Sequence, residues 1–197
     1  WSEPHFKGDA DTTDEWASTL VSIAGGVMDA LVVHLYYPAG QSQSSTWFPA
    51  TMAATQQIMS NLAQLRTVIA ANSGRASQIE LLVTEYGIMP LDSGDPRNIS
   101  NLAQSLFHAD LLMALLEHPE FKTTLATAWT MHDPYTEQAA VHFDWATNSR
   151  WARPQYYVLQ LMRNYLAPTL HKTSVTSSTF NAAQVGNVAY TASVPTL

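Results

Sequence analysis

The sequence predicts an α/β fold with a parallel sheet, and three observations carry that prediction. Three short apolar runs stand out, the first two without period-two alternation, segments of helical period separate them, and the order reads helix, strand, helix, strand, helix, strand, helix. Strands that alternate with helices imply βαβ units. Three parallel strands alone leave open sheet edges. The chain therefore reads either as a small doubly wound fold or as part of a larger barrel.

Each element has its own signals. Thr12 to Gly25 carries Trp16, Leu20 and Ile23 on one helical face, with Asp11 or Thr12 as N-cap. Ala30-Leu31-Val32-Val33-His34-Leu35-Tyr36 is the first strand. Thr46 to Ala71 carries Ile58, Leu62, Leu65 and Ile69 at helical spacing and stops at Asn72-Ser73-Gly74. Glu80 to Tyr86 is the second strand. These two runs are rich in β-branched or aromatic residues and are expected to be buried on both faces. Asn98 to Glu117 carries Leu102, Leu106 and Met113, and His118-Pro119 ends that helix. Thr124 to Thr130 is the third and least distinct strand. Arg153 to Ala167 has Pro154 near its first turn and carries Tyr156, Leu159, Met162 and Leu166. Beyond Pro168 the pattern changes. Ser174-Val175-Thr176, Gln184-Val185 and Val188-Ala189-Tyr190-Thr191 read as short antiparallel strands, in a tail too short for its own core. A domain boundary is placed near Pro168.

Composition narrows the partners. With 197 residues and 46% hydrophobic content, one sizeable core is expected. The net charge is −7, and only nine residues are Lys or Arg. Neither nucleic acid nor an anionic membrane surface is an expected partner. No run of about 18 apolar residues occurs, so no transmembrane helix is expected, and no signal-peptide pattern is read. The absence of cysteine removes disulfides, thiolate catalysis and Cys-type zinc sites. Sparse charge, abundant Ser, Thr, Asn and Gln, and the sequon Asn98-Ile99-Ser100 lean toward an extracellular protein.

The chemistry is sought at the carboxyl ends of the strands, where parallel α/β folds gather functional groups. The three ends read His34-Leu35-Tyr36-Tyr37-Pro38, Glu85-Tyr86-Gly87 and Trp129-Thr130-Met131-His132-Asp133-Pro134. A carboxylate that closes an apolar strand costs free energy unless it is hydrogen-bonded or has a task. A neighbouring tyrosine hydroxyl can bond one oxygen of Glu85, which favours the ionised form and leaves the other oxygen free to attack. Trp129 offers a sugar ring an apolar face, and His34 can hold a hydroxyl or orient the carboxylate. Plainer readings exist for each. Glu85 could be a surface glutamate, His34 a core histidine bonded to a carbonyl, and Trp129 packing. Tyr36 and Tyr37 cannot both face a pocket, because strand neighbours alternate. His132-Asp133 lacks a third metal ligand at supporting spacing and reads as a loop feature. His108 and Asp110 lie mid-helix, Glu80 is expected to be solvated, and no Gly-x-Ser-x-Gly elbow suggests an esterase.

These residues carry a resemblance. Val32-Val33-His34-Leu35-Tyr36-Tyr37, Val83-Thr84-Glu85-Tyr86, Ala128-Trp129 and Arg153-Pro154-Gln155-Tyr156-Tyr157-Val158-Leu159-Gln160-Leu161 occur in that order. They resemble the sixth, seventh and eighth strands and the eighth helix of clan A glycoside hydrolases, most closely family 51, over about residues 12 to 190. The resemblance implies the C-terminal part of a (β/α)8 TIM barrel over residues 1–168 and the start of a β-sandwich over 169–197. It implies a retaining α-L-arabinofuranosidase acting on plant polysaccharides or oligosaccharides. In that reading Glu85 is the nucleophile, Tyr36 positions it, His34 and Trp129 line the sugar pocket, and no metal or organic cofactor is needed.

One departure matters. The family's acid/base glutamate closes the fourth strand in an Asn-Glu motif, and this chain is expected to begin after the fifth. Trp1-Ser2-Glu3-Pro4-His5 is similar to an Asn-Glu-Pro motif of related families. Residues 6 to 29, however, are too few for the helix, strand and helix that would have to follow. The missing N-terminal half of the enzyme is therefore the expected partner, beside the carbohydrate substrate, and the isolated chain is expected to be inactive and poorly folded. A homo-oligomer is compatible with the sequence. Two alternatives stand beside this reading: an endo-β-1,4-glucanase or xylan-active enzyme of the same clan, and a non-catalytic carbohydrate-binding barrel.

Overall fold

The computed structural model describes residues 13–36, 47–88, 102–132 and 139–165. The elements are α1 (Thr13–Ala24), β1 (Ala30–Tyr36), α2 (Trp47–Asn72), β2 (Glu80–Gly87), α3 (Leu102–Glu117), a 3-10 turn (Pro119–Phe121), β3 (Thr123–Ala128), β4 (Val141–Asp144), β5 (Ser149–Ala152) and α4 (Pro154–Tyr165). Within the described residues the four expected helices and the three expected apolar strands form, and the protein is a mixed α/β chain. β1, β2 and β3 make a parallel sheet in that order. Strands β4 and β5 form an antiparallel hairpin that the sequence reading did not anticipate. The segments Trp1–Pro4, Asn98–Ser100 and 169–197, with the sandwich strands expected there, lie outside the described residues.

The helices form one layer. α1 touches α2, α2 touches α3 and α3 touches α4. Ile58, Leu62, Leu65 and Ile69 of α2 are buried as their spacing predicts, against Leu31, Val33 and Leu35 of β1 and Leu81 and Val83 of β2. Each such side chain contributes about 1.5–3 kcal/mol of burial free energy. At the amino end of the sheet the turns interlock. A Cβ on Gly25 would lie 2.3 Å from the Val21 carbonyl oxygen and 2.8 Å from the Ser73 Cβ, so only glycine fits there. The Ser73 hydroxyl donates to the Gly25 carbonyl at 2.8 Å.

Two expectations are corrected. The strands are not buried on both faces. Burial alternates along β1, and Val32 and Leu125 are 50% and 42% exposed on the face that the helix layer leaves open. The helix faces also differ from those expected. Ile23, Leu102 and Leu106 are exposed, while Val21, Phe107, Leu111 and Leu115 enter the core. α3 carries apolar residues on every side, so periodicity alone does not select its buried stripe.

Candidate active site

Parity along the strands decides what the open face carries. On β1 the odd residues Leu31, Val33 and Leu35 point to the helices, which leaves Val32, His34 and Tyr36 on the open face. On β2, Leu81 and Val83 point to the helices, and strict alternation would send Glu85 after them into the core. It does not go there. Val33 pairs with Val83 but His34 pairs with Glu85, so β2 holds one extra residue at this point. The register with β3 slips at the same place, between Val83 and Tyr86. This bulge switches the alternation. Glu85 turns to the open face beside His34, and Tyr86 takes the helix side, 1% exposed. The Thr127 hydroxyl of β3 donates to the Thr84 carbonyl inside the bulge, satisfying a group the irregular pairing would strand.

The carboxylate is held from β1. The Tyr36 hydroxyl donates to Glu85 Oε2 at 2.7 Å, and His34 Nδ1 lies 3.4 Å from the same oxygen. The side chains of His34 and Glu85 are 10% and 21% exposed, so the pair is partly buried yet still reached by solvent. Among the described residues both contacts fall on Oε2. A carboxylate held in this way by one oxygen can act through the other as nucleophile or base. Behind it, the Tyr86 ring lies 5.1 Å from the His108 ring of α3. Burial pushes the Tyr86 hydroxyl above its ordinary range and pulls His108 down to about 4, so both are neutral near pH 7.

The third strand completes the rim. Trp129 follows directly on β3, and its backbone N–H donates to the Tyr86 carbonyl at 2.9 Å. The Trp129–Thr130 peptide is cis, and the Trp129 side chain is 42% exposed. A Cβ on Gly87 would meet the Trp129 carbonyl oxygen at 3.4 Å and the Tyr36 ring at 3.5 Å, so these two residues flank Gly87 from either side. The fold thus carries His34, Tyr36, Glu85 and Trp129 to one end of one sheet. It brings His34 and Tyr36 onto Glu85 and sets Trp129 at the neighbouring position.

The other candidates separate from this cluster. Glu80 lies at the opposite end of β2, exposed, and accepts the Thr124 hydroxyl at 2.8 Å. His108 is a core residue. His132 packs near Phe143 with ring centroids 5.7 Å apart, while Tyr37 and Asp133 lie outside the described residues. Among the described residues no three His, Cys, Asp or Glu side chains could hold a metal ion, and no helix is long and apolar enough to cross a membrane. Sequence reasoning missed Thr127 and the bulge. The available signal was the parity conflict itself, a glutamate two residues beyond buried Val83.

Comparison with known proteins gives a likeness of fold. No family model and no curated protein matches the chain. Among solved structures, it is similar to the GH51 arabinofuranosidase from Xanthomonas axonopodis pv. citri, with a TM-score of 0.59 and 20% identity over 78% of this chain and 32% of that one. It is similar to α-L-arabinofuranosidase from Thermotoga maritima, with a TM-score of 0.66 and 19% identity over 85% of this chain and 33% of that one. A family 51 α-L-arabinofuranosidase from Bifidobacterium longum gives a TM-score of 0.67 and 14% identity over 88% of this chain and 38% of that one. The chain spans about a third of the length of each of these structures. Over that part, its helices and parallel strands have the fold of a family 51 arabinofuranosidase.

Proposed function

We propose that this chain is the nucleophile-bearing part of a retaining glycoside hydrolase that releases α-L-arabinofuranosyl residues from plant polysaccharides or oligosaccharides. The observation that carries the reading is Glu85, turned out of the core by a bulge and held on one oxygen by Tyr36, at the carboxyl end of a parallel sheet. Catalytic groups of (β/α)8 enzymes gather at that end. Among the described residues, a single helix layer, two open strand edges and one uncovered sheet face suit three consecutive βα units of a barrel. In this reading residues 1–168 supply strands six to eight with their helices, and residues 169–197 begin a sandwich domain. The remaining strands come from polypeptide outside this chain.

Glu85 attacks the anomeric carbon and displaces the leaving oxygen, and a covalent glycosyl-enzyme forms. Tyr36 fixes the carboxylate by one oxygen so that the other points at the sugar. His34 stands beside Glu85 within reach of a sugar hydroxyl, and Trp129 offers the ring an apolar face. A second carboxyl group, about 5–5.5 Å from Glu85 in a retaining enzyme, protonates the leaving oxygen and then activates water. It is assigned to the strands outside this chain.

In the complete enzyme, Glu85→Gln is expected to lower turnover of an aryl α-L-arabinofuranoside by at least about 10³-fold, because the nucleophile itself is lost. Turnover within tenfold of the parent would contradict the assignment. Preferential cleavage of an aryl cellobioside or xylobioside by the parent would favour the endo-acting alternative. The present chain alone is expected to give no turnover.

A further inference from the structure

The β4–β5 hairpin is not used by the chemistry above, yet it is built onto the same rim. The Ala140 and Val141 N–H groups donate to the Thr130 and Met131 carbonyls, each at 2.9 Å, and His132 bridges to Val141 in parallel sense. β4 therefore starts beside the segment that directly follows Trp129 and runs parallel to it. At about 3.3 Å per residue, Trp145 at its tip stands roughly 13 Å along the strand from Val141. The tip is set by Asp144, whose carboxylate accepts the Ala146 N–H at 2.9 Å and the Thr147 hydroxyl at 2.6 Å.

Trp145 is 66% exposed, but it is propped. Its ring stands edge-on to buried Phe143 with centroids 4.2 Å apart and planes at 89°. The Arg150 guanidinium lies 4.9 Å over the same Phe143 ring, and His132 approaches it at 5.7 Å. The pairing of His142 with Trp151 and of Phe143 with Arg150 puts Trp151 on the other side of the hairpin. The two exposed tryptophans thus do not merge into one broad apolar patch of the kind that protein partners cover. What remains is one exposed aromatic ring packed on Phe143, a residue that also carries a guanidinium and an imidazole. That combination suits a ligand with an apolar ring face and a polar edge.

We propose that the β4–β5 hairpin is a carbohydrate-binding platform, on which Trp145 stacks a sugar unit of the substrate chain remote from the scissile bond while Arg150 and His132 meet its hydroxyls. The ligand class rests on the glycosidase reading of the Glu85 site. Its consequence is a preference for long substrates over short ones, since a small aryl glycoside cannot reach the platform.

The test compares kcat/KM of the complete enzyme on arabinoxylan and on an aryl α-L-arabinofuranoside, with retention on immobilised arabinoxylan as a separate readout. Trp145→Ala is expected to lower the polymer-to-aryl ratio about five- to tenfold, the scale of one aromatic contact, and to weaken retention to match. Trp145→Tyr should recover most of both, and Trp151→Ala on the opposite face should keep the parent ratio. A ratio within twofold of the parent for Trp145→Ala would overturn the platform, as would an equal drop for Trp151→Ala. If neither substrate is cleaved but Trp145→Ala still loses retention, the platform stands and the reading of the Glu85 site falls.

Discussion

The two faces of the three-stranded sheet are made by the same strands and have opposite characters. One face buries Leu31, Val33, Leu35, Leu81 and Val83 under the helices, none more than 9% exposed. The other leaves Val32 and Leu125 about half exposed and carries His34, Tyr36 and Glu85 at its upper end. The covered face accounts for the local fold. The open face is apolar below and polar above, as the inside of a barrel segment would be if further strands closed over it.

Matched leucine truncations give the largest expected effects and bear directly on this comparison. Leu81→Ala on the covered face should destabilise the complete protein by about 2–5 kcal/mol. Leu125→Ala on the open face should cost a similar amount there, because strands outside this chain would bury it. Equilibrium denaturation of both variants tests the point. A cost below about 0.5 kcal/mol for Leu125→Ala would mean that the open face meets solvent, and the barrel reading would fail.

The upper end of the open face gives the next effect. Tyr36→Phe removes one hydrogen bond to a carboxylate, a contribution of about 1.5–3 kcal/mol, and should lower kcat about ten- to a hundredfold with little change in KM. An unchanged kcat would show that Glu85 does not depend on β1 for its orientation.

How much of this was legible in the sequence follows from the same two faces. The apolar runs from Ala30 and Glu80 located β1 and β2 to within a residue, because few other conformations suit β-branched stretches of that length. Tyr36, Glu85, His34 and Trp129 were legible as strand-end residues. Their convergence was not, because it depends on one bulge. Counting by twos from Leu81 puts Glu85 in the core, and only the extra residue in β2 returns it to His34 and Tyr36. The hairpin is not legible because four-residue strands such as Val141–Asp144 are too short for a periodic signal. The buried stripe of α3 is not legible because that helix carries apolar residues on several sides.

The smallest effect belongs to the covered side. His108, held near 4 by burial, is neutral in the folded protein but has its ordinary value of 6.5 when unfolded. The unfolded chain therefore binds more protons between those values, so stability is full above about pH 6.5 and falls as pH drops toward 4. The loss should be on the order of 1–3 kcal/mol. Burial raises the Asp110 carboxyl on the same helix, which opposes the trend only at the acid end. His108→Phe should flatten the pH dependence of thermal unfolding over that window, and an unaltered slope would remove His108 as its source.

The central claim is that Glu85 forms the bond to the sugar. The complete enzyme should be treated with a mechanism-based arabinofuranosyl inhibitor, digested, and mapped by mass spectrometry. The expected result is a single adduct on Glu85, within Leu81-Leu82-Val83-Thr84-Glu85-Tyr86-Gly87, that disappears in Glu85→Gln. An adduct on another carboxylate, or one that persists in Glu85→Gln, would contradict the assignment.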